Sequence, residues 1–541
     1  MIMLSPYSLT LVCLLVASLF SAPSEAARRR EQRELDANQV ILRLDTGPES
    51  GDRRSQPRRD LGRREFTLRH VYHHGTHKHP QLHRYLDIPK HARLKVLDDD
   101  GQTHIAPQSF SVRSVSMSIQ RMVDRTKLNL DQILDLAESH GKPITLPPNA
   151  WTVEDIPGPN FTDKATVVNL ARMAANSYVM EPGTGDWKDI GGNFNYSDSF
   201  GWELDGLRGH IYADKTNSTV VIAIKGTSKA LFDGTEPETN DKDNDNLFGS
   251  CCCGQGGRFF WKQVCDCMTS MYTCNSTCVE KSLRKKNRYY SAVRDLYHEV
   301  TKRYPDADVW ATGHSLGGVV SALLGLTYGL PVMTYEAYPD ALAASRLGLP
   351  VPPGYRIGSH QTRTDLGIYH YGHTADPVFM GSCNSAFSSC TLYGYAMESL
   401  CHTGKTCQYD TVNDLGWQVG IATHSILDVI ENVLEKYDDV PACEADLDCS
   451  DCYKWRFFKS NETSRPPPIT STTTSETATR TEVCKTPGWW TCLDESTTST
   501  VPTTSTSSES TSTCKTPGWW GCLDVTTTTT TTSCTITSTV T

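Results

Sequence analysis

Polar and apolar positions along the middle of the chain follow two alternating periods. Residues 162–178 repeat at helical spacing, with Val167, Leu170, Ala171, Ala174 and Tyr178 on one face. Residues 287–304 do the same through Tyr290, Val293, Leu296, Tyr297 and Val300, and stop before Pro305. Around them lie short β-prone runs: 209–214 and 219–224 on either side of a turn at Lys215-Thr216-Asn217, then 308–312, 331–338 and 368–372. Residues 319–326 are an unbroken apolar run of small and branched side chains, the pattern of a buried helix. Strands alternating with helices in this way predict an α/β fold.

The two ends break the pattern. Residues 1–24 carry no charged side chain; an apolar heart at 9–20 is followed by small residues and then Arg28-Arg29-Arg30. The segment reads as a cleaved signal peptide or an uncleaved signal anchor. It only just reaches the about 20 apolar residues of a spanning helix. Its arginines lie on the carboxyl side, which under the positive-inside rule does not favour a lumenal remainder. Residues 25–62 are rich in Arg, Glu, Asp and Gly and read as a flexible linker. In the region 63–159, eight of the chain's 17 histidines fall between His70 and His104. No cysteine or carboxylate pattern completes a zinc site there, so the segment reads as solvated and pH-responsive. The catalytic domain is expected over 160–458. From 459 to 541 Ser, Thr and Pro dominate, as in a disordered, O-glycosylated stalk. Inside that tail the eleven residues from Cys484 to Asp494 recur from Cys514 to Asp524, each unit carrying a Trp-Trp pair between two cysteines.

Composition narrows the class. A net charge of −10 argues against nucleic acid as a partner. Twenty cysteines are too many for an ordinary cytosolic enzyme and point to an oxidising lumen or the cell exterior. Glycosylation acceptors at Asn160, Asn195, Asn217, Asn275 and Asn461 agree with the secretory pathway. Fourteen of the cysteines lie between Cys251 and Cys452, an even number that can pair completely. Disulfides are expected rather than metal ligation, and no cofactor is expected.

The candidate chemistry centres on Gly313-His314-Ser315-Leu316-Gly317, a G-x-S-x-G string between a predicted strand and a predicted helix. That context holds the serine on a sharp turn at the carboxyl end of the sheet and makes Ser315 the candidate nucleophile. The N–H of Leu316 then faces the developing oxyanion, and Thr227, in the Gly-containing loop after 219–224, is the candidate second donor. In an α/β-hydrolase arrangement the acid follows the serine and the histidine follows the acid. Asp376, directly after the strand 368–372, is the candidate acid, with Asp340 and Asp365 in poorer context. His424, before an apolar helix start, is the candidate base, with His402 as the rival. Between Thr227 and the 287–304 helix, an insertion at 228–281 brings seven cysteines together with Phe259, Phe260, Trp261, Met268, Met271 and Tyr272. It reads either as an apolar lid that meets a lipid surface or as a local mini-core.

Lys225-Gly226-Thr227, Gly313 to Gly318 and His373-Thr374-Ala375-Asp376-Pro377-Val378 together resemble the class 3, fungal-type lipases over residues 160–435. Leu68 to Thr76 and the cysteine-rich insertion are similar to the fungal autophagy-related phospholipases within that group. The resemblance implies an α/β-hydrolase fold with a lid, and a glycosylated, single-pass type II membrane enzyme. It implies passage through Golgi and multivesicular bodies to the vacuole, a lumenal catalytic domain, and membrane glycerolipid as substrate. Residues 1–24 would then be a retained anchor. A secreted esterase on soluble or cell-wall esters is the nearest alternative, and a surface adhesion protein displaying the Trp-Trp units is the alternative without catalysis.

Overall fold

The computed structural model describes residues 60–74, 83–88, 93–97, 103–105, 109–140, 143–178, 187–191, 206–227, 240–256, 261–363 and 365–460, with two short strands at 517–518 and 521–522. The central sheet has eleven strands. In chain order they are β1 (Asp60–His74), β2 (His83–Asp87), β3 (Ser109–Met122), β4 (Trp151–Pro159), β5 (Leu207–Asp214), β6 (Thr219–Ile224), β7 (Asp308–His314), β8 (Val332–Tyr335), β9 (Ile368–His373), β10 (Lys405–Tyr409) and β11 (Cys443–Glu444). Across the sheet the order is β11-β10-β9-β8-β7-β6-β5-β1-β3-β4, with β2 paired to β1. The strands β6 to β10 are parallel. The flanking pairs are antiparallel.

A parallel strand covered on both faces must be apolar throughout, and β6 is. Val220, Ile222 and Ile224 enter one core cluster, and Val221 and Ala223 enter the other. On the second face lies α1 (Lys164–Asn176), capped by the Asp163 carboxylate on the Thr166 N–H at 3.0 Å. The helices α2 (Asn240–Gly249), α3 (Ser276–Leu283), α4 (Tyr289–Arg303) and α5 (Leu316–Tyr328) feed the first cluster. The predicted helix at 319–326 starts earlier, immediately after Ser315. The predicted strand at 331–338 stops at Tyr335, because Glu336 turns the chain at φ 45°.

The N-terminal region departs from expectation. It is not a separate His-rich segment ahead of a domain beginning at 160, since β1, β3 and β4 extend the same sheet, and β1 begins inside the predicted linker. Phe66, Leu68, Val71 and Tyr72 bury the strand against the core, which a solvated segment would not do. His70, His73 and His74 are buried with it rather than solvated. His70 lies 2.6 Å from Asp87 and 2.7 Å from the Tyr304 hydroxyl, and burial pushes its pKa down. Acidification therefore does not readily charge His70.

All fourteen cysteines from Cys251 to Cys452 are paired, in seven disulfides. Cys251–Cys452 closes 201 residues and ties the insertion to the end of the domain. The insertion is less exposed than its aromatics suggest. Along α2 nearly every residue is buried, Cys252, Cys253, Cys267 and Cys274 lie in the core, and Trp261 is half-buried, donating to the Thr391 hydroxyl at 3.3 Å. Met271 and Tyr272 do face solvent; Phe259 and Phe260 lie outside the described residues.

The chain divides into two units, Met1–Ser464 and Arg465–Thr541. In the second, residues 517–518 pair with 521–522 inside the second Trp-Trp repeat. The remainder of the tail, the predicted membrane segment and the linker up to residue 59 lie outside the described residues. Among those described, no helix is long and apolar enough to cross a membrane.

Candidate active site

The turn from β7 into α5 is built around close backbone approach. A Cβ on Gly313 would lie 2.3 Å from the Gly317 carbonyl oxygen, and one on Gly317 would lie 2.2 Å from that of Ile224. Only glycine lets the helix start press against the ends of β6 and β7. Ser315, between them, is held at φ 54°, ψ −129°, a conformation L-residues rarely adopt. Its N–H donates to the Tyr335 carbonyl at 3.1 Å, which ties the turn to β8.

His424 ends a short helical turn, Ile421–His424. Its Nε2 lies 3.0 Å from Ser315 Oγ and its Nδ1 lies 2.7 Å from Asp376 Oδ2. Asp376 follows β9, fully buried, and its other oxygen accepts the Val378 N–H at 2.8 Å. Burial pushes the Asp376 carboxyl up, but the His424 imidazole, Glu336 and the Val378 N–H outweigh it and hold the pKa at about 2. The three residues singled out in the sequence are thus brought together in one hydrogen-bonded chain, from elements 61 and 48 positions apart.

Two histidines outside that chain clamp the segment carrying His424. His314 Nε2–H donates to the His424 carbonyl at 2.9 Å, and His373 Nε2–H donates to the Thr423 carbonyl at 3.0 Å. A carbonyl only accepts, so both tautomers follow from the geometry. Burial pushes His314 down to about 3, and His373 below its ordinary value, so both clamps are neutral rings.

Glu336 was not legible as a site residue. It is fully buried behind Asp376, with His373 Nε2 3.8 Å from its carboxyl. Burial and then the Asp376 charge push its pKa well above the carboxylate range. It is therefore a neutral acid beside an ionised one, as expected where two carboxyl groups share a dry site. The available signal was an acidic residue directly after an apolar strand, at the carboxyl end of the sheet.

The loop after β6 lies against the serine. A Cβ on Gly226 would sit 3.1 Å from Ser315 Cβ, so Thr227 follows immediately beside the nucleophile, and Leu316 is the first residue of α5. The Thr227 hydroxyl is 2.6 Å from Asp245 Oδ2 on α2. Burial, with the neighbouring Asp241 charge, pushes Asp245 up to about 8 against the opposing pull of Thr227, Tyr338 and Lys225. Ser315 has no exposed surface and His424 is 5% exposed, so this is a closed site.

The rival residues lie elsewhere. Asp365 has an 85% exposed side chain beside Lys405. Asp340 and His402 are buried with His370 in a cluster of their own. Of the glycosylation candidates, Asn217 is exposed in the turn after β5, whereas Asn275 caps α3 and its amide reaches Ser460 at 3.2 Å. Asn160 is half-buried and accepts from Thr162; Asn195 and Asn461 lie outside the described residues.

A family model for class 3 lipases matches residues 221–331, which takes in β6, the insertion and the serine turn but ends before Asp376 and His424. A protein of Passalora fulva named "Putative lipase ATG15" is 56% identical over 499 residues, 90% of this chain and 74% of that protein. The chain belongs to the ATG15 lipase family. As a member of it the chain is a lipid ester hydrolase, and the sheet, crossover helices and serine turn are those of an α/β-hydrolase. A second ATG15 relative, from Penicillium rubens, is 55% identical over 437 residues, covering 80% of this chain and 65% of its own length. The chain thus spans about three-quarters of one relative and just under two-thirds of the other. Among solved structures, Lip2 lipase of Yarrowia lipolytica is 20% identical, covers 44% of this chain and 76% of its own, and has a TM-score of 0.23.

Proposed function

We propose that this ATG15 family member hydrolyses the carboxylic ester bonds of membrane glycerolipids, phospholipids among them, through a Ser315-His424-Asp376 triad. The observation that carries the reading is the unbroken chain from Ser315 Oγ through the His424 imidazole to Asp376, at 3.0 and 2.7 Å. His424 Nε2 takes the Ser315 proton as Oγ attacks the ester carbonyl, while Asp376 holds the tautomer and stabilises the charged ring. The backbone N–H groups of Leu316 and Thr227, with the Thr227 hydroxyl, stabilise the oxyanion, each such donor being worth roughly 10²–10³ in rate. His424 then returns the proton to the departing glycerol oxygen. Water, deprotonated by the same nitrogen, releases the fatty acid from the acyl-serine.

A membrane substrate is supported by a buried nucleophile in a domain that also exposes large apolar side chains. Met271 is 79% exposed and Phe387, in the adjoining Cys383–Cys390 loop, 89%. Burying two such side chains in lipid, at about 25 cal/mol per Å², supplies several kcal/mol toward opening the site at a bilayer. We assign the covering role to the insertion 228–281. The Cys251–Cys452 staple ties that insertion to the end of the domain.

The name shared by the relatives and the apolar residues 1–24 support action on autophagic bodies and intravacuolar vesicles. On this reading the chain is a single-pass type II, glycosylated protein of Golgi and endosomal or multivesicular membranes with its catalytic domain lumenal. The test compares fatty acid release from anionic phospholipid vesicles with turnover of a short soluble ester. Met271→Ser with Phe387→Ser should weaken the first and spare the second. A wild-type enzyme that ignores vesicles, or equal loss on both substrates, leaves a soluble esterase instead.

A further inference from the structure

We propose that Asp340, His370 and His402 form a buried zinc(II) site, separate from the triad, that pins together the end of the parallel sheet. Asp340 precedes the short helix Ala341–Arg346, His370 lies on β9, and His402 lies in the loop before β10. Asp340 and His370 have no exposed surface and His402 has 9%. One ligand atom from each lies within 4.8 Å of the others, and His370 Nε2 is 3.7 Å from Asp340 Oδ1. Ligands about 2.0–2.1 Å from a tetrahedral zinc stand about 3.4 Å apart, so this edge needs to contract by only a few tenths of an ångström.

The outer hydrogen bonds orient the inner atoms. His402 Nε2 faces the Phe379 carbonyl at 3.0 Å, so it carries the hydrogen and Nδ1 carries the lone pair. His370 Nδ1 is 2.7 Å from the Thr334 hydroxyl, which leaves Nε2 as the inward atom. His370 Nε2 and His402 Nδ1 are both buried without a hydrogen-bond partner among the described residues. The Thr403 N–H and hydroxyl bind the two Asp340 oxygens at 2.7 and 2.6 Å from outside. Carbonyl, hydroxyl and amide partners behind each ligand are what an oriented metal site requires. The His402 Nδ1 lone pair, His370 Nε2 and an Asp340 carboxyl oxygen thus converge in one dry pocket, and two imidazoles with one carboxylate favour zinc over calcium or magnesium.

None of the three comes from the His-rich segment between His70 and His104. Through the Phe379 carbonyl the site braces the loop that carries Asp376, so zinc acts here as a staple rather than as a reactant. The test uses untagged full-length protein, stripped with chelator, incubated with zinc and dialysed. Wild type and Ser315→Ala should each retain about one zinc per chain by elemental analysis, and His402→Gln and Asp340→Asn less than about a tenth. Zinc, and not magnesium, should raise the melting temperature of stripped wild type. X-ray absorption at the zinc edge of wild type should show two imidazoles, oxygen and no sulfur, which decides the matter even if the variants fail to fold. Folded wild type retaining less than about a tenth of an equivalent, or a shell containing sulfur, overturns the proposal.

Discussion

Asp245→Asn should remove the alkaline loss of activity while leaving the enzyme active at acid pH. Asp245 is buried on α2 with Oδ2 2.6 Å from the Thr227 hydroxyl, and burial pushes its pKa to about 8. Below that pH its protonated carboxyl donates to Thr227 Oγ1 and leaves the Thr227 hydrogen free for the oxyanion. Above it the carboxylate accepts the Thr227 hydrogen, withdraws that donor and adds a negative charge beside the developing one. A lost oxyanion donor costs about 10²–10³ in kcat, so wild type should fall roughly tenfold per pH unit above about 8 until that floor is reached. In the Asn variant the amide donates to Thr227 at every pH. The stability sign runs the same way: the raised pKa favours the folded state most below the unfolded value near 3.8, and that contribution is lost as pH rises toward about 8. Asp245→Asn should therefore gain stability over wild type at neutral and alkaline pH. The assay is kcat on a soluble short-chain ester across pH 4 to 10, with urea melts alongside. An Asn variant that keeps the wild-type alkaline fall refutes the reasoning.

Glu336→Leu removes the neutral acid buried beside Asp376, one of the groups that hold the Asp376 carboxyl low; taken at the about 1.5–3 kcal/mol of an interaction with a charged group, its loss should lower kcat about 10- to 100-fold, with Glu336→Gln close to wild type. A shifted acid limb in the Leu variant checks that the effect passes through Asp376 and His424 rather than through folding. The chain-entropy relation assigns about 5 kcal/mol to Cys251–Cys452 and about 2 kcal/mol to Cys383–Cys390, so paired Ser replacements should differ in that order in urea unfolding. Ending the chain at Ser464 should leave soluble-ester turnover unchanged, since the tail lacks the apolar residues to join a packed core; loss of turnover would make the tail part of the enzyme.

The parts of the fold legible in the sequence are those fixed by local pattern. The apolar β6, the amphipathic α1 and α4 and the serine turn with its close-packed glycines all declare themselves within a dozen residues. Ser315, Asp376 and His424 were findable because chain order and a strand-end or helix-start context constrain them. What stayed hidden depends on contacts distant in sequence. His70, His73 and His74 read as solvated because a run of histidines is polar, yet β1 pairs with β5 more than a hundred residues away and buries them. Glu336 and Asp376 are 40 positions apart, and no periodicity joins them. His402, the rival base, lies between Cys401 and Cys407, where nothing local marks it as buried. Buried against Phe379, His370 and Asp340, its loss should lower stability. The insertion reads either as an apolar lid or as a local mini-core, and its seven cysteines all pair and anchor α2 and Cys252, Cys253, Cys267 and Cys274 in the core.

The central claim is that Ser315 is the nucleophile activated by His424. It is tested most directly by treating the native protein with a fluorophosphonate and mapping the adduct by peptide mass spectrometry. The account predicts one adduct per chain, on Ser315, with labelling slowed by orders of magnitude in His424→Ala and absent in Ser315→Ala, which also loses about 10⁴–10⁶ in ester turnover. An adduct on another serine, or Ser315→Ala retaining a tenth of wild-type turnover, would contradict it.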